Sequence, residues 1–338
     1  MYLICRVIFV TTLVALLSPS VFAGETAERQ SIQSGAFLAF SNSQFEALDS
    51  LAAEYRSKAS RLPSGVWKLT FFYLGIADRA PWTQKDPTAW QQLDSETQQW
   101  VIDYPKSPTA ILVRGIVMEN HAWSLAEADR RAPMTDDQKK TFLDSLSKTR
   151  EFLLKNKVVG SQDPHWYVSM IRVATALRLP KQEIMAIVKE SSSRKPYYYQ
   201  TYFAAVDYFS PKWGGDAETL DGFIRAVVEE TRGEEGMALY SRIYWAALQS
   251  WYAADIWPAL NWPDFRQGVH DVLKKYPDQW NLNSFARFAC VAQDMKLAVD
   301  MFKEIENPDK DVWGTAADFK TCRDWSTTGS TSSGDRAL

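Results

Sequence analysis

The sequence predicts an all-α fold of stacked antiparallel helical hairpins, on three observations. Apolar residues recur at three- and four-residue intervals along nearly the whole chain, the spacing that lines one face of a helix. Pro, Gly and Asp interrupt these runs every ten to twenty residues, where short helices would turn back on themselves. Alternating apolar and polar positions, the mark of a half-buried strand, do not form a convincing run anywhere, and no Asn-Gly hairpin turn occurs.

Taken in order, the first stripe runs through Phe45, Leu48, Ala52, Tyr55 and Ala59 and stops at Pro63-Ser64-Gly65. Residues 66–76 are apolar almost all round, as a buried helix would be, and Pro81 ends them. Pro87 starts a segment reaching toward Tyr104, and Pro105 and Pro108 bracket the next turn. A long helix over 109–128 turns Leu112, Ile116 and Trp123 inward. Thr135 and Gln138 have capping-box spacing, so they open a helix that buries Phe142, Leu146 and Leu153 before Gly160. Pro164 opens a helix with Trp166, Met170, Val173 and Leu177 on one face, Pro180 ends it, and a partner follows over 182–190. Further helices are predicted over 197–209, from the Asp216 cap onward, over 237–252, through Phe265 to Tyr276, and over 281–292 and 295–305.

The ends of the chain read differently. Residues 1–23 carry Arg6, an apolar run over 7–17, a Ser-Pro-Ser break and Val21-Phe22-Ala23, the pattern of a secretory signal peptide cut after Ala23. The run is too short to span a bilayer permanently, so an exported, soluble chain is expected, periplasmic or secreted, with no integral membrane segment after cleavage. Residues 24–35 are polar and patternless and read as a flexible leader, 36–325 as the helical domain, and the Ser/Thr/Gly-rich 326–338 as a disordered tail. Removing the signal takes only Arg6 among charged residues and leaves 37 basic against 41 acidic groups, a net charge of −4. Nucleic acid and anionic membranes need a concentrated basic surface and are not expected as partners. Two cysteines remain, Cys290 and Cys322, separated by about one helical hairpin; in an oxidising compartment they form a disulfide stapling the last hairpin.

In the final hairpin, Ala286 and Ala298 lie twelve apart and Phe302 follows four later. That spacing resembles a tetratricopeptide or Sel1-like repeat, in which two small residues let helices approach and an aromatic fills the space beneath. Earlier hairpins do not keep a 34-residue period, so the expected architecture is a degenerate tetratricopeptide-like α-α superhelix. The turn Ser210-Pro211-Lys212-Trp213-Gly214-Gly215 is similar to a Pro-basic-Trp-Gly-Gly turn of uncharacterised exported bacterial proteins grouped as a domain of unknown function. Pro105 to Pro108, Arg114-Gly115, and Ala122-Trp123 look like the same group. The resemblance implies a bacterial source and a fold, without chemistry.

Candidate site residues are few. Gly214 and Gly215 would expose backbone N–H groups where the helix capped by Asp216 begins, a place for an anion. Against this, Asp216 itself fills the cap, while Trp213 plugs the hairpin and the glycines supply positive φ. Arg114, Glu119, Asn120, His121 and Trp123 form the densest polar cluster within an apolar helix. Glu119 and Trp123 share a face; Glu119, Asn120 and His121 point in successive directions and cannot converge. A buried Arg–carboxylate tie between layers competes there with a ligand-binding face. The 14 Trp wedge helices together or line a groove for sugars or extended peptides. Three histidines without His-Glu-x-x-His spacing and two distant cysteines offer no metal site. Gly-x-Ser-x-Gly, Gly-x-Gly-x-x-Gly and Walker patterns are missing, so no catalytic residue and no cofactor is assigned. Glu229-Glu230 and Glu234-Glu235 read as a solvated corner. A non-enzymatic scaffold presenting a concave face to a peptide or protein partner is expected. A Trp-lined enzyme or binding protein acting on polysaccharide or cell-wall fragments is the alternative.

Overall fold

A computed structural model describes residues 24–79, 87–126 and 134–329. Its elements are α1 (Glu25–Ser41), α2 (Phe45–Ser57), α3 (Lys68–Arg79), α4 (Pro87–Asp103), α5 (Pro108–Ala126), α6 (Asp136–Lys155), α7 (Lys157–Gly160), α8 (His165–Ala176) and α9 (Lys181–Arg194). There follow α10 (Gln200–Phe209), α11 (Ala217–Glu235), α12 (Ala238–Ala247), α13 (Ala253–Ile256), α14 (Trp262–Lys275), α15 (Gln279–Val291), α16 (Met295–Glu304), α17 (Lys310–Trp313) and α18 (Ala316–Thr328). Single 3-10 turns cover Pro211–Trp213 and Trp257–Ala259. The described residues are all-α: neighbouring helices pack as antiparallel hairpins, and the hairpins stack into an α-α superhelix.

The inner helices are recognisable by burial. In α8, every residue from His165 to Ala176 except Arg172 is buried, and most of α5 and α12 is buried too. Outer helices such as α6 and α11 bury one stripe and expose the rest. Two large cores result, one around Trp100, Phe72 and Trp166, the other around Tyr199, Phe209 and Phe265. The Thr135–Gln138 capping box forms as its spacing predicts, with Gln138 N donating to Thr135 Oγ1 at 3.2 Å and Thr135 N to Gln138 Oε1 at 2.8 Å.

Several expectations need correction. Residues 24–35 are no flexible leader: they begin α1, which packs along α3. Gly75 lets the two backbones meet, since a Cβ there would lie 2.1 Å from the Gln33 carbonyl oxygen. The first turns of α1 carry no apolar stripe to predict them because their anchors are polar. Glu25, buried, accepts from Ser64 N at 2.6 Å and pairs with Arg29, whose guanidinium lies 3.7 Å over the Trp280 ring. The solvated corner also fails at one position. Glu235 is 3% exposed and receives Lys275 Nζ at 3.0 Å and the Tyr199 hydroxyl at 3.3 Å. The chain does not end its helices at 305: α17 and α18 follow, and α18 takes in Ser326 to Thr328 of the expected tail. The signal segment 1–23, the Pro81 stop, the end of the 109–128 helix and tail residues 330–338 lie outside the described residues.

The loop between α2 and α3 ties the start of the superhelix to its later turns. The Ser64 carbonyl accepts from Arg242 Nη2 at 2.6 Å and Asn281 Nδ2 at 3.3 Å, and Arg61 Nη1 donates to the Tyr276 hydroxyl at 2.6 Å. Gly65 has φ +90 and lies flat against the Tyr276 ring, 2.8 Å from where a Cβ would stand. Cys290 of α15 and Cys322 of α18 form a disulfide with a Cα–Cα distance of 5.8 Å. The bond fastens α18 onto the α15–α16 hairpin, two helices further along the chain than the hairpin expected to be stapled.

Candidate functional site

Three successive inner helices, α5, α8 and α10, each turn one short face into a common groove of about 410 Å³. Helical spacing decides which residues arrive there. Helix α5 contributes Glu119 and Trp123, four apart; α8 contributes Val168, Arg172 and Thr175; α10 contributes Gln200, Phe203 and Asp207. The turn after α10 adds Lys212 and Trp213. A narrow inner extension of about 40 Å³ shares Glu119, Val168, Arg172 and Gln200, and reaches Tyr73, Asn120 and His165.

The charges are arranged in pairs. Arg172 Nε donates to Glu119 Oε1 at 2.7 Å; the carboxylate is 3% exposed while the arginine side chain is 45% exposed. The nearby Glu119 charge holds the guanidinium above its ordinary range. Lys212 Nζ donates to Asp207 Oδ2 at 3.2 Å, and the Tyr252 hydroxyl reaches Asp207 Oδ1 at 3.5 Å. Trp213 meets Trp123 edge-on at 6.3 Å between ring centroids, forming an aromatic wall, and Phe203 adds to the apolar lining. Two polar atoms in this lining, Thr175 Oγ1 and Trp213 Nε1, are buried and make no hydrogen bond to any described residue.

Of the residues singled out from sequence, Glu119, Trp123 and Trp213 meet in the groove, and Arg114 does not. Arg114 lies five positions before Glu119, which at about 100° per residue rotates it off the groove face. Arg114 instead donates to the Asp94 carbonyl at 2.8 Å and pairs with its carboxylate at 3.3 Å, tying α5 to α4. Gly214 has φ +91 and Gly215 admits no Cβ, which would fall 2.1 Å from the Phe209 carbonyl oxygen. Their amides bond back to Pro211 O at 3.3 Å and Ser210 O at 3.0 Å, and Asp216 accepts from Thr219 N at 2.7 Å, so the turn is closed on itself. His121 stacks on Trp90 at 4.7 Å, away from the groove, and burial lowers its pKa. Sequence reasoning missed Arg172, Thr175, Gln200 and Asp207. Arg172 had a signal: it is the single charge between Pro164 and Leu177, in a run otherwise fit for the core.

Behind the groove, Asp163 is fully buried and accepts from Arg56 Nη1 at 2.8 Å, the Tyr73 hydroxyl at 2.7 Å and His165 N at 2.9 Å. His165 stacks on Tyr73 at 4.4 Å, with Nδ1 2.8 Å from the Tyr198 hydroxyl. Burial, then the Arg172 charge, push its pKa down to about 3. The unfolded chain takes up this proton below about 6.5, so the His165 contribution to stability is complete above that pH and is lost as pH falls toward 3. Asp278 works oppositely. Burial, then the Glu25 charge, raise its carboxyl to about 6 against the backbone N–H bonds from Asn281 and Trp280 and the Arg242 charge. The native state keeps a proton that the unfolded chain releases above 3.8, so stability falls as pH rises from there to about 6. Between about pH 4 and 6 the two slopes oppose each other. Asp278→Asn retains the cap on α15 and removes one slope, so melting temperature should drop more steeply on acidification from pH 6 to 4 than in the parent. Thermal melts at half-unit pH steps check this; parallel curves for the two proteins would refute it.

Comparison of the chain with protein-family models, curated proteins and solved structures finds no match in any of the three.

Proposed function

We propose that this chain is an exported helical-repeat scaffold that binds a peptide or protein partner in the groove between α5, α8 and α10. The observation that carries the reading is the convergence there of Trp123, Trp213, Phe203 and the Glu119–Arg172 pair from successive hairpins. Concave, largely preformed sites with aromatic walls and a few placed polar groups are how such surfaces recognise extended ligands. Export is supported by the signal-like residues 1–23 and by the Cys290–Cys322 disulfide, which oxidising compartments preserve. Kinship with the exported bacterial proteins that share the Pro-Lys-Trp-Gly-Gly turn is part of this proposal. No helix among the described residues is long and apolar enough to cross a membrane.

The test is a tryptophan-fluorescence titration of the oxidised chain with a mixture of short extended peptides, repeated on Trp123→Ala and Trp213→Ala. Saturable quenching that both variants lose supports the groove. Hydrolysis of the peptides, or of cell-wall glycan, at catalytic rates would sink the scaffold reading. A second reading, a polysaccharide-binding groove, draws on the same wall, because paired indoles beside Gln200 and Asp207 also suit a sugar ring. Saturation by chitin or cellulose oligomers with no response to peptides would favour it.

A further inference from the structure

We infer that this groove is built for the free C-terminal carboxylate of a peptide whose last side chain is aromatic or aliphatic. The inference rests on the peptide-binding reading above and adds the chemistry that selects the ligand.

Donors and acceptors in the groove are unequally paired. Three of the four carboxylate oxygens in the groove are occupied: Glu119 Oε1 by Arg172, and Asp207 Oδ2 and Oδ1 by Lys212 and Tyr252. Donors are not. Arg172 spends only Nε on Glu119, and neither of its terminal nitrogens bonds to any described residue, although the side chain is 45% exposed to the groove. A guanidinium held by a buried carboxylate through one nitrogen presents its remaining edge in a fixed orientation, the planar fork that matches a carboxylate with two parallel hydrogen bonds. Thr175 Oγ1, on the same face three residues on, and Trp213 Nε1, in the facing wall, are buried without a partner. A buried donor left unmade is costly, so its persistence in a lining points to a ligand that accepts from it. The terminal nitrogens of Arg172 and Trp213 Nε1 can only donate and so require acceptor oxygens, and the Thr175 hydroxyl can donate to one as well.

The surrounding surface narrows the source of that carboxylate. Trp123, Trp213 and Phe203 form an apolar wall next to Arg172, where a side chain on the carboxylate-bearing carbon would be buried. About 410 Å³ takes a few residues of chain and not a folded surface. Gln200, which reaches both the groove and its inner extension, supplies an amide for the peptide backbone.

The experiment is a calorimetric titration of the oxidised full-length mature chain with acetyl-Ala-Ala-Ala-Leu-Phe as the free acid and as the C-terminal amide. The acid is expected to bind about tenfold to a hundredfold more tightly, the size of effect a charge-assisted pair of hydrogen bonds supplies. Arg172→Gln should abolish the preference. Because that variant leaves Glu119 buried without its partner, Arg172→Lys serves beside it: it keeps the charge, loses the fork, and should narrow the preference several-fold. Equal affinity for acid and amide overturns the carboxylate proposal while leaving the peptide groove standing. Failure of both peptides to bind, with Arg172-dependent binding of an oligogalacturonate, overturns the proposal together with the reading beneath it. An acid preference that Arg172→Lys and Arg172→Gln leave intact also overturns it.

Discussion

Replacing Asp163 by alanine is expected to lower the free energy of unfolding by about 3–5 kcal/mol, the range for breaking a buried ion pair from one side. The size follows from what the carboxylate holds. It takes one hydrogen bond from Arg56 of α2, one from Tyr73 of α3 and one from the backbone at the start of α8, and Arg56 continues to Thr109 of α5 at 2.9 Å. Two effects compete at this carboxyl: burial raises its pKa, and the Arg56 charge pulls it back without cancelling the rise. The charged pair is thus expensive to bury, yet half of it is worse, because alanine strands an Arg56 side chain that is 13% exposed. Asp163→Asn keeps one acceptor oxygen, enough for His165 N on one side while its NH2 faces Arg56 and Tyr73 on the other, and should still cost less than alanine, about 1.5–3 kcal/mol for the lost charge-assisted bond. Combining Asp163→Leu with Arg56→Met removes both charges and should recover much of the alanine loss. Urea unfolding of the four proteins gives the comparison; a loss under about 1 kcal/mol in Asp163→Ala would mean that the network is not what fastens these helices.

How much of this could be read in advance depends on whether a residue's role is local. The stripes that start at Phe45 and at Leu220 are written in consecutive turns, and they form the helices they predict. Caps are equally local, so Thr135 and Asp216 act as their neighbours suggest. Helix α1 escaped because it is held by side chains that look like those of a solvated tail, and only the distant Ser64, Trp280 and Asp309 make Glu25, Arg29 and Thr26 structural. The groove was half legible for the same reason. Glu119 and Trp123 stand out on one helix, and Trp213 marks a turn, but nothing in their own segments says that the three meet. Arg172 and Asp207, which complete the charge pattern, are separated from them by whole helices. Arg114 shows the converse: five positions from Glu119 in sequence, it belongs to a different interface.

Reducing the disulfide, or replacing Cys290 and Cys322 by serine, is expected to lower stability by about 3–4 kcal/mol on the loop-entropy account of a cross-link closing some thirty residues. The loss should be spent locally. Helix α18 is the last described element, and beyond the bond it is held to the hairpin by Phe319 against Phe302 and Trp313, at 5.5 and 5.3 Å. Those aromatic contacts persist on reduction, so α18 is expected to open more often and not to be lost. Native-state hydrogen exchange on oxidised and reduced protein should show amides of Ala316–Thr328 exchanging at least tenfold faster after reduction, while α5, α8 and α10 keep their protection. Since the cross-link joins α18 to α15 only, the groove lies outside the cooperative unit it stabilises, and ligand binding should survive reduction. Unchanged exchange in α18 would show that aromatic packing alone secures it. Accelerated exchange reaching α8 would show that the superhelix opens as one unit from its C-terminal end.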